Sequence, residues 1–353
     1  MIPHDKKKVT LLHPSDKAQQ IYIGQQDRQK IWESVTIPCE PDSPARSPNH
    51  YQEEVESGPR FITNLTAAQD MCQWPSSYSA RHGFLSSPST FHFTHSHVPI
   101  LATSKFSTFS DIMIPSSYYF QDDIAEMDDS KDSLYEDKID QVYWRGSNTG
   151  GHWTQGSWTM GHRQRFVNFT NTPNGDIVLL KKSSDGQWMP QHTVLSKVQK
   201  KFKVEFSQFI QCDDEDCKEQ EDYFHKAKWD ANNDAVGSKI VYNLDGNSFS
   251  GRYYRLLKSN SLVFMQAMFK EWHDDRIIPW VHFVPISNSM EELPETTRYL
   301  LDDPEGQIIA ARIASDSKDW SKKILRRVDM TAAFYRVFLE YARLVDDNRA
   351  KLS

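Results

Sequence analysis

The 353-residue chain predicts an α/β fold in which a parallel sheet carries helices on both faces. Two observations lead there. Five short apolar runs, at 141–147 (QVYWRGS), 176–182 (DIVLLKK), 239–246 (KIVYNLDG), 261–266 (SLVFMQ) and 280–286 (WVHFVPI), alternate with helix-like segments such as 251–260 (GRYYRLLKSN). That is the pattern of strand, crossover helix, strand. Residues 289–345 then place apolar side chains at three- and four-residue spacing, which predicts a largely helical last third.

Taken in order, residues 1–60 include EPDSPARSPNHYQEE, a Pro-, Ser- and charge-rich stretch expected to be an irregular arm. Residues 84–120 are rich in aromatic and β-branched residues broken by turn formers, and HVPIL at 97–101 reads as a buried strand. The acidic stretch 121–140 reads as a solvated helix or connector, with a domain boundary near its end. The expected division is an arm (1–60), a first domain (61–138, completed by 330–353) and a second domain (139–329). No internal repeat of fixed period is present.

Composition narrows the function. Hydrophobic residues make up 38%, charged residues 25% and aromatics 12%, the profile of a folded body rather than a disordered chain. A net charge of -7 argues against a nucleic-acid partner, which needs a concentrated basic face. No apolar run reaches the ~18–20 residues of a bilayer span, and the start MIPHDKKKVT has no apolar stretch behind its charges, so no membrane contact is expected from the chain as given. The four cysteines are Cys39, Cys72, Cys212 and Cys217, and the last two enclose only DDED, a loop that closes easily as a local disulfide. A zinc site would want two Cys-x-x-Cys pairs or neighbouring His. Glycosylation triplets at Asn64 and Asn168 agree with an oxidising secretory lumen, although such triplets also arise by chance.

In an open parallel sheet, ligands bind beyond the carboxyl ends of the strands. Two loops there stand out. After VYW comes RGSNTGG, with Arg145, Ser147, Thr149, Gly150 and Gly151; after IVYNL comes DGNSFSGRYYR, with Gly246, Ser248, Ser250, Gly251 and Arg252. Small residues let a ligand approach the backbone, and hydroxyls with a guanidinium suit phosphate oxygens. The helix opening near Gly251 would add N–H donors. Such turns also occur without ligands, and an Arg there is often an ion-pair partner. Gly246-x4-Gly251 is followed by Arg and Tyr, so the Lys and magnesium hydroxyl of a nucleoside-triphosphatase loop are missing. DGNS lacks the remaining oxygens of a calcium loop. Neutralisation of a diphosphate by Arg is therefore favoured over a metal.

FSTFSDIMIP, YWRGSNTGG, YNLDGNSFSGRYYRLLKSNSLVF and PWVHFVPI, in that order, resemble the fungal capsule-associated proteins and protein O-glucosyltransferases of glycosyltransferase family 90, from about Gly83 to about Tyr341. The resemblance implies a GT-B arrangement, two Rossmann-like domains facing across a cleft, with the second binding a UDP-sugar and the first helping to hold a glycan or glycoprotein acceptor. It also implies inversion at the anomeric centre, no required metal or other cofactor, a Golgi or ER lumen, and a final helix that crosses back to the first domain. Xylose is the favoured donor sugar and glucose the next. By the same resemblance the general base falls on Asp111 in SDIMIP, while Arg145, Ser147, Gly246, Ser250, Gly251 and Arg252 hold the nucleotide sugar.

The chemistry suits these residue types. A carboxylate takes the acceptor's proton as attack proceeds, and positive charge meets the negative charge that develops on the departing diphosphate. Without the resemblance, Asp111 reads as a turn or cap residue. Asp245 has no acidic counterpart in the animal enzymes and its role stays open. His282 is equally a core residue or a ligand contact, whereas Trp280 and Phe283 read as packing. The competing readings are a non-catalytic glycan- or nucleotide-binding relative, a truncated inactive product, and a hydrolase, which would need a second carboxylate facing the first.

Overall fold

A computed structural model of the chain describes residues 7–11, 19–25, 31–47, 59–79, 81–89, 92–94, 98–228 and 235–346. Its centre is a five-stranded, wholly parallel sheet of β1 (Ile139–Ser147), β2 (Phe202–Gln208), β3 (Ser238–Leu244), β4 (Leu262–Gln266) and β5 (Val284–Pro285). The spatial order is β5-β4-β3-β1-β2. From β1 the chain moves outward to β2, then returns to the other side of β1 to lay down β3. The crevice between the carboxyl ends of β1 and β3 is thus the topological switch point, where ligands bind in such sheets.

Burial explains why these runs became the sheet. Every residue of β4 is buried, as are all but one of β3, as expected of strands covered on both faces. Ile240, Tyr242 and Leu244 point to one layer, against Phe166 and Val167 of α1 (His162–Asn171), Leu300 and Leu301 of α4 (Leu293–Asp302), and Ile313 of α5 (Pro304–Ile324). Val241 and Val263 point to the other, against Tyr253, Tyr254, Leu256 and Leu257 of α3 (Tyr253–Leu257). The crossover from β2 to β3 carries α2 (Asp214–Phe224).

Three sequence expectations need amending. The run 176–182 is a strand, but it pairs antiparallel with Trp188–Val194 outside the main sheet, and the sheet's outer strand is β2, where apolar Val204 and Phe206 alternate with charged residues. Of the described residues of HVPIL, only Leu101 enters a strand, in a two-residue pairing with Ile112–Met113, and Ile100 and Leu101 are 42% and 41% exposed; residues 95–97 lie outside the described residues. Pro99 has no N–H for a ladder, which keeps this run at an edge. The arm is partly ordered: Lys7–Leu11 pairs antiparallel with Gln19–Gln25, and the helix Ile31–Thr36 buries Ile31 and Val35. Residues 48–58 of it lie outside the described residues.

The described residues of 59–120 lie across the carboxyl edge of the sheet, whereas 132–138 lie at its amino edge, where Asp132 accepts from the Asn260 amide and Lys138 donates to the Val236 carbonyl. The strands of 59–120, among the described residues, are two residues long. Met71, Tyr78, Leu85 and Phe106 pack on Met268 and Phe269, which follow β4. Gln69 donates to the Ala267 carbonyl (3.0 Å), and the Trp280 indole donates to the Ile62 carbonyl (2.6 Å). Disulfides join Cys212 to Cys217, as the spacing predicts, and Cys39 to Cys72. The final helix, α6 (Arg327–Val345), touches the first part at its start, where Arg327 donates to the Phe120 carbonyl and Asp122, while Tyr335, Phe338 and Leu339 face solvent. No described helix is long and apolar enough to cross a membrane.

Candidate active site

The two loops singled out in the sequence meet at the switch point. The Gly150 amide donates to the Asn247 side chain (3.1 Å), and Ser147 and Thr149 share a hydroxyl contact of 3.1 Å. Gly150 has φ +118°, and a Cβ there would lie 2.4 Å from the His162 ring, so glycine is required at this crossing of loop and helix.

Arg163, which sequence reasoning missed, ties the loops together. It projects from the first turn of α1 and is 6% exposed. Its Nε donates to the Asp245 carbonyl (2.7 Å), one terminal nitrogen donates to the Ser147 carbonyl (2.9 Å) and the Thr149 hydroxyl (2.7 Å), and the other to the Leu244 carbonyl (3.3 Å). Burial first, then the nearby Arg252, pushes its pKa down to about 9. A signal was there: His162, Arg163 and Arg165 open a helix that has no acid in its first turn, against the preference of a helix N-terminus for negative charge.

Arg252 lies alongside. It donates to the Arg145 carbonyl (2.8 Å), leaving most of its guanidinium N–H groups without a partner among the described residues, and burial lowers its pKa. Neither Arg163 nor Arg252 forms an ion pair with a carboxylate among the described residues. Arg145 contributes its backbone here, since its own guanidinium turns away to Glu205 and the Lys228 carbonyl. Ser250 is buried, with its carbonyl turned to the Tyr253 amide and the Tyr119 hydroxyl. At Gly246 a Cβ would make a tight contact, 3.1 Å, with the Arg163 guanidinium, whereas at Gly251 it would make an ordinary contact with Tyr118. The helix beyond Gly251 is only five residues long, so its dipole adds less than the sequence suggested.

Over the ends of β3, β4 and β5, beside the Leu244 and Asp245 carbonyls that hold Arg163, opens a cavity of about 560 Å³; neither Arg163 nor Arg252 lines it. Residues 59–65 and 67–69, with Trp74 and Tyr78, form one wall, and Leu244, Asp245, Gln266 and Asn288 help form the other. His82 and His162, stacked 3.7 Å apart, also line it. The His82 Nδ1 accepts from the Phe84 amide (3.3 Å), which leaves the proton on Nε2, and burial pushes its pKa down to about 3. The His162 Nε2 donates to the Asp245 carbonyl (2.7 Å). The Asp245 carboxylate, 2% exposed, accepts from the Met268 amide (2.6 Å), and burial pushes its pKa up to about 7.

Asp111 is placed elsewhere. It is half-buried ahead of Ile112–Met113, it does not line the cavity, and its backbone carbonyl accepts from the Lys105 ammonium (2.8 Å). Burial raises its pKa against the opposing Lys105 charge. His282 proves to be a packing residue: its Nδ1 accepts from the Ile278 amide (2.9 Å) and its ring stacks on Trp320.

Comparison with known proteins bears on this geometry. The profile of glycosyl transferase family 90 matches residues 89–351. The chain is 30% identical over 125 residues to "Protein O-glucosyltransferase 3" of Rattus norvegicus, which covers 35% of this chain and 24% of that protein. It is 30% identical over 112 residues to "O-glucosyltransferase rumi" of Drosophila pseudoobscura pseudoobscura, covering 30% and 26%. The Homo sapiens "Protein O-glucosyltransferase 3" is 28% identical over 125 residues, covering 35% and 24%. The matched stretch therefore spans about a quarter of the length of these relatives.

Proposed function

This chain belongs to glycosyl transferase family 90, and on that premise we propose that it transfers a sugar from a UDP-sugar to a hydroxyl of a glycan or glycoprotein. The observation that carries the reading is the pair Arg163 and Arg252, two guanidiniums at the switch point with no carboxylate paired to them among the described residues. Buried positive charge is costly without a counter-ion, and a diphosphate supplies one. Arg252, most of whose N–H groups have no partner among the described residues, grips the phosphate oxygens; Arg163 holds both loops and adds its charge. As the bond to the anomeric carbon breaks, the electron pair leaves with UDP, and these charges stabilise it. The reading requires no metal.

Donor identity belongs to the proposal. The relatives are named for glucose transfer, and xylose is expected from the fungal resemblance. A GT-B pairing is proposed on the same footing, since residues 59–120 cover the carboxyl ends of the sheet as an acceptor-side half would. Two disulfides support an oxidising lumen as the working compartment. The test is UDP release from UDP-xylose and UDP-glucose by the purified chain, with UDP binding followed by calorimetry. Binding without release from either donor would favour a non-catalytic relative, and absence of binding would sink the reading.

A further inference from the structure

Asp111 lies outside the cavity, yet its segment runs to the loop that carries Arg252. Ile112–Met113 pairs parallel with Leu101–Ala102, and the short helix Ser117–Phe120 that follows brings Tyr118 against Gly251 and stacks Tyr119 on Tyr254, with ring centroids 3.6 Å apart. The Tyr119 hydroxyl donates to Glu271 (2.7 Å). On the other side of Asp111, Lys105 fastens the segment to the sheet edge. The Lys105 and Lys270 amides each donate to the other's carbonyl (3.0 and 2.8 Å), an antiparallel bridge between the first part of the chain and the loop after β4. The Lys105 ammonium then reaches forward to the Asp111 carbonyl (2.8 Å). One residue thus grips the sheet edge through its backbone and the Asp111 peptide through its side chain.

Resting on the transferase reading above, with Asp111 as the base that the family resemblance implies, we propose that Lys105 is a positioning residue for transfer: it holds Asp111 in place on the carboxyl edge of the sheet and keeps its carboxylate ionised and unpaired. In the transfer step the acceptor O–H bond breaks and its proton moves to the Asp111 carboxylate. The freed oxygen pair forms the bond to the anomeric carbon, and the bond from that carbon to the phosphate oxygen breaks, its pair leaving with UDP. Lys105 takes no proton in this step; it holds the residue that does.

Bonding the carbonyl rather than the carboxylate matters chemically. A direct ion pair would occupy the oxygens that accept the proton and would make the group too weak a base. Asp111 forms no ion pair among the described residues; burial raises its pKa, and its own amide and then the Lys105 charge oppose the rise. Burial lowers the Lys105 pKa, Asp111 opposes the fall, and Lys270, across the bridge, adds to it. The paired strand Leu101–Ala102 carries no charged side chain.

The test measures kcat and kcat/KM against pH by UDP release from UDP-glucose and UDP-xylose, with a panel of methyl glycosides as acceptors, alongside UDP affinity. Lys105→Met should lower kcat by about tenfold, through misplacement of the base, and move the acid limb of kcat/KM up by about one pH unit, because the carboxylate loses its neighbouring positive charge. Lys105→Arg keeps both the charge and the donor and should restore the limb and most of the turnover. UDP affinity should stay within about threefold in both. Asp111→Asn should lower kcat by about 100-fold or more, and in that background Lys105→Met should add almost nothing, because its effect passes through Asp111. An unmoved acid limb in Lys105→Met, a limb equally displaced in Lys105→Arg, or a full further loss on top of Asp111→Asn overturns the proposal and leaves the transferase reading standing. Near-normal turnover in Asp111→Asn does the same. Should Lys105→Met fail to fold, Lys105→Gln, which keeps a donor and drops the charge, takes its place with the same limb shift expected. A wild-type chain that binds UDP and turns over neither donor overturns both readings.

Discussion

Arg163 donates from Nε to the carbonyl of Asp245 at 2.7 Å, so the residue that closes the two loops is anchored on the residue that floors the cavity. Their side chains come from α1 and from the end of β3, 82 positions apart in sequence, and the parallel pairing of β1 with β3 brings them together. The site is assembled by the sheet order.

Arg252→Lys keeps the charge and removes the planar fork. We expect UDP to bind about 10- to 100-fold more weakly, the range set by loss of about 1.5–3 kcal/mol of charge-assisted hydrogen bonding. Thermal stability should change little, since a single bond to the Arg145 carbonyl is what the protein itself receives. Calorimetry with UDP checks the first point and thermal melting the second.

Gly150→Ala should damage both folding and nucleotide binding. The substitution forces a side chain onto φ +118° and drives a Cβ against His162 at 2.4 Å. Backbone strain of this kind costs about 1–3 kcal/mol before the clash is counted. The expected result is a melting temperature lower by several degrees with weakened UDP affinity. An unchanged melt would contradict the loop crossing described here.

Lys138→Met tests a buried ion pair remote from chemistry. The Lys138 ammonium bonds Asp132 at 2.6 Å with both side chains fully buried, and Asp132 also accepts from the Asn260 amide (2.6 Å). Removing one partner strands a charge, at about 3–5 kcal/mol. Lys318, 3.5 Å from Asp132, offsets part of that loss. Denaturant unfolding should show the deficit, and UDP affinity per folded molecule should be unchanged.

Asp245→Asn should alter how stability depends on pH. Folding raises the Asp245 pKa from 3.8 to about 7, so between these values the native state holds a proton that the unfolded chain has released. The residue therefore weakens the fold as pH rises from about 4 to 7, and Asn carries no such slope. The stability of the variant relative to the wild type should grow across that window by a few kcal/mol and level off above it. The lowered pKa values of His82 and His162 act in the opposite direction, stabilising the fold as pH rises towards 6.5, and are common to both proteins. A pH-independent difference would mean that Asp245 is charged throughout.

What the sequence settled by itself was local. The runs at 141–147, 239–246 and 261–266 carry enough apolar residues to be strands of a covered parallel sheet, and RGSNTGG and DGNSFSGR are legible as its carboxyl-end loops because small residues and a guanidinium follow a strand directly. Cys212 and Cys217 close a loop too short to depend on the rest of the fold. The tertiary structure decided the rest. Which arginine points inward could not be read from spacing: Arg145 finds Glu205 on the neighbouring strand, and Arg163, in the first turn of α1, is carried to the switch point. His82 and Asp245 acquire meaning only where residues 59–82 fold across the sheet edge, since burial removes water from both and leaves one donor and one acceptor facing a shared space. Strand and turn propensities act over a few residues, whereas desolvation and charge pairing depend on which distant segments happen to meet.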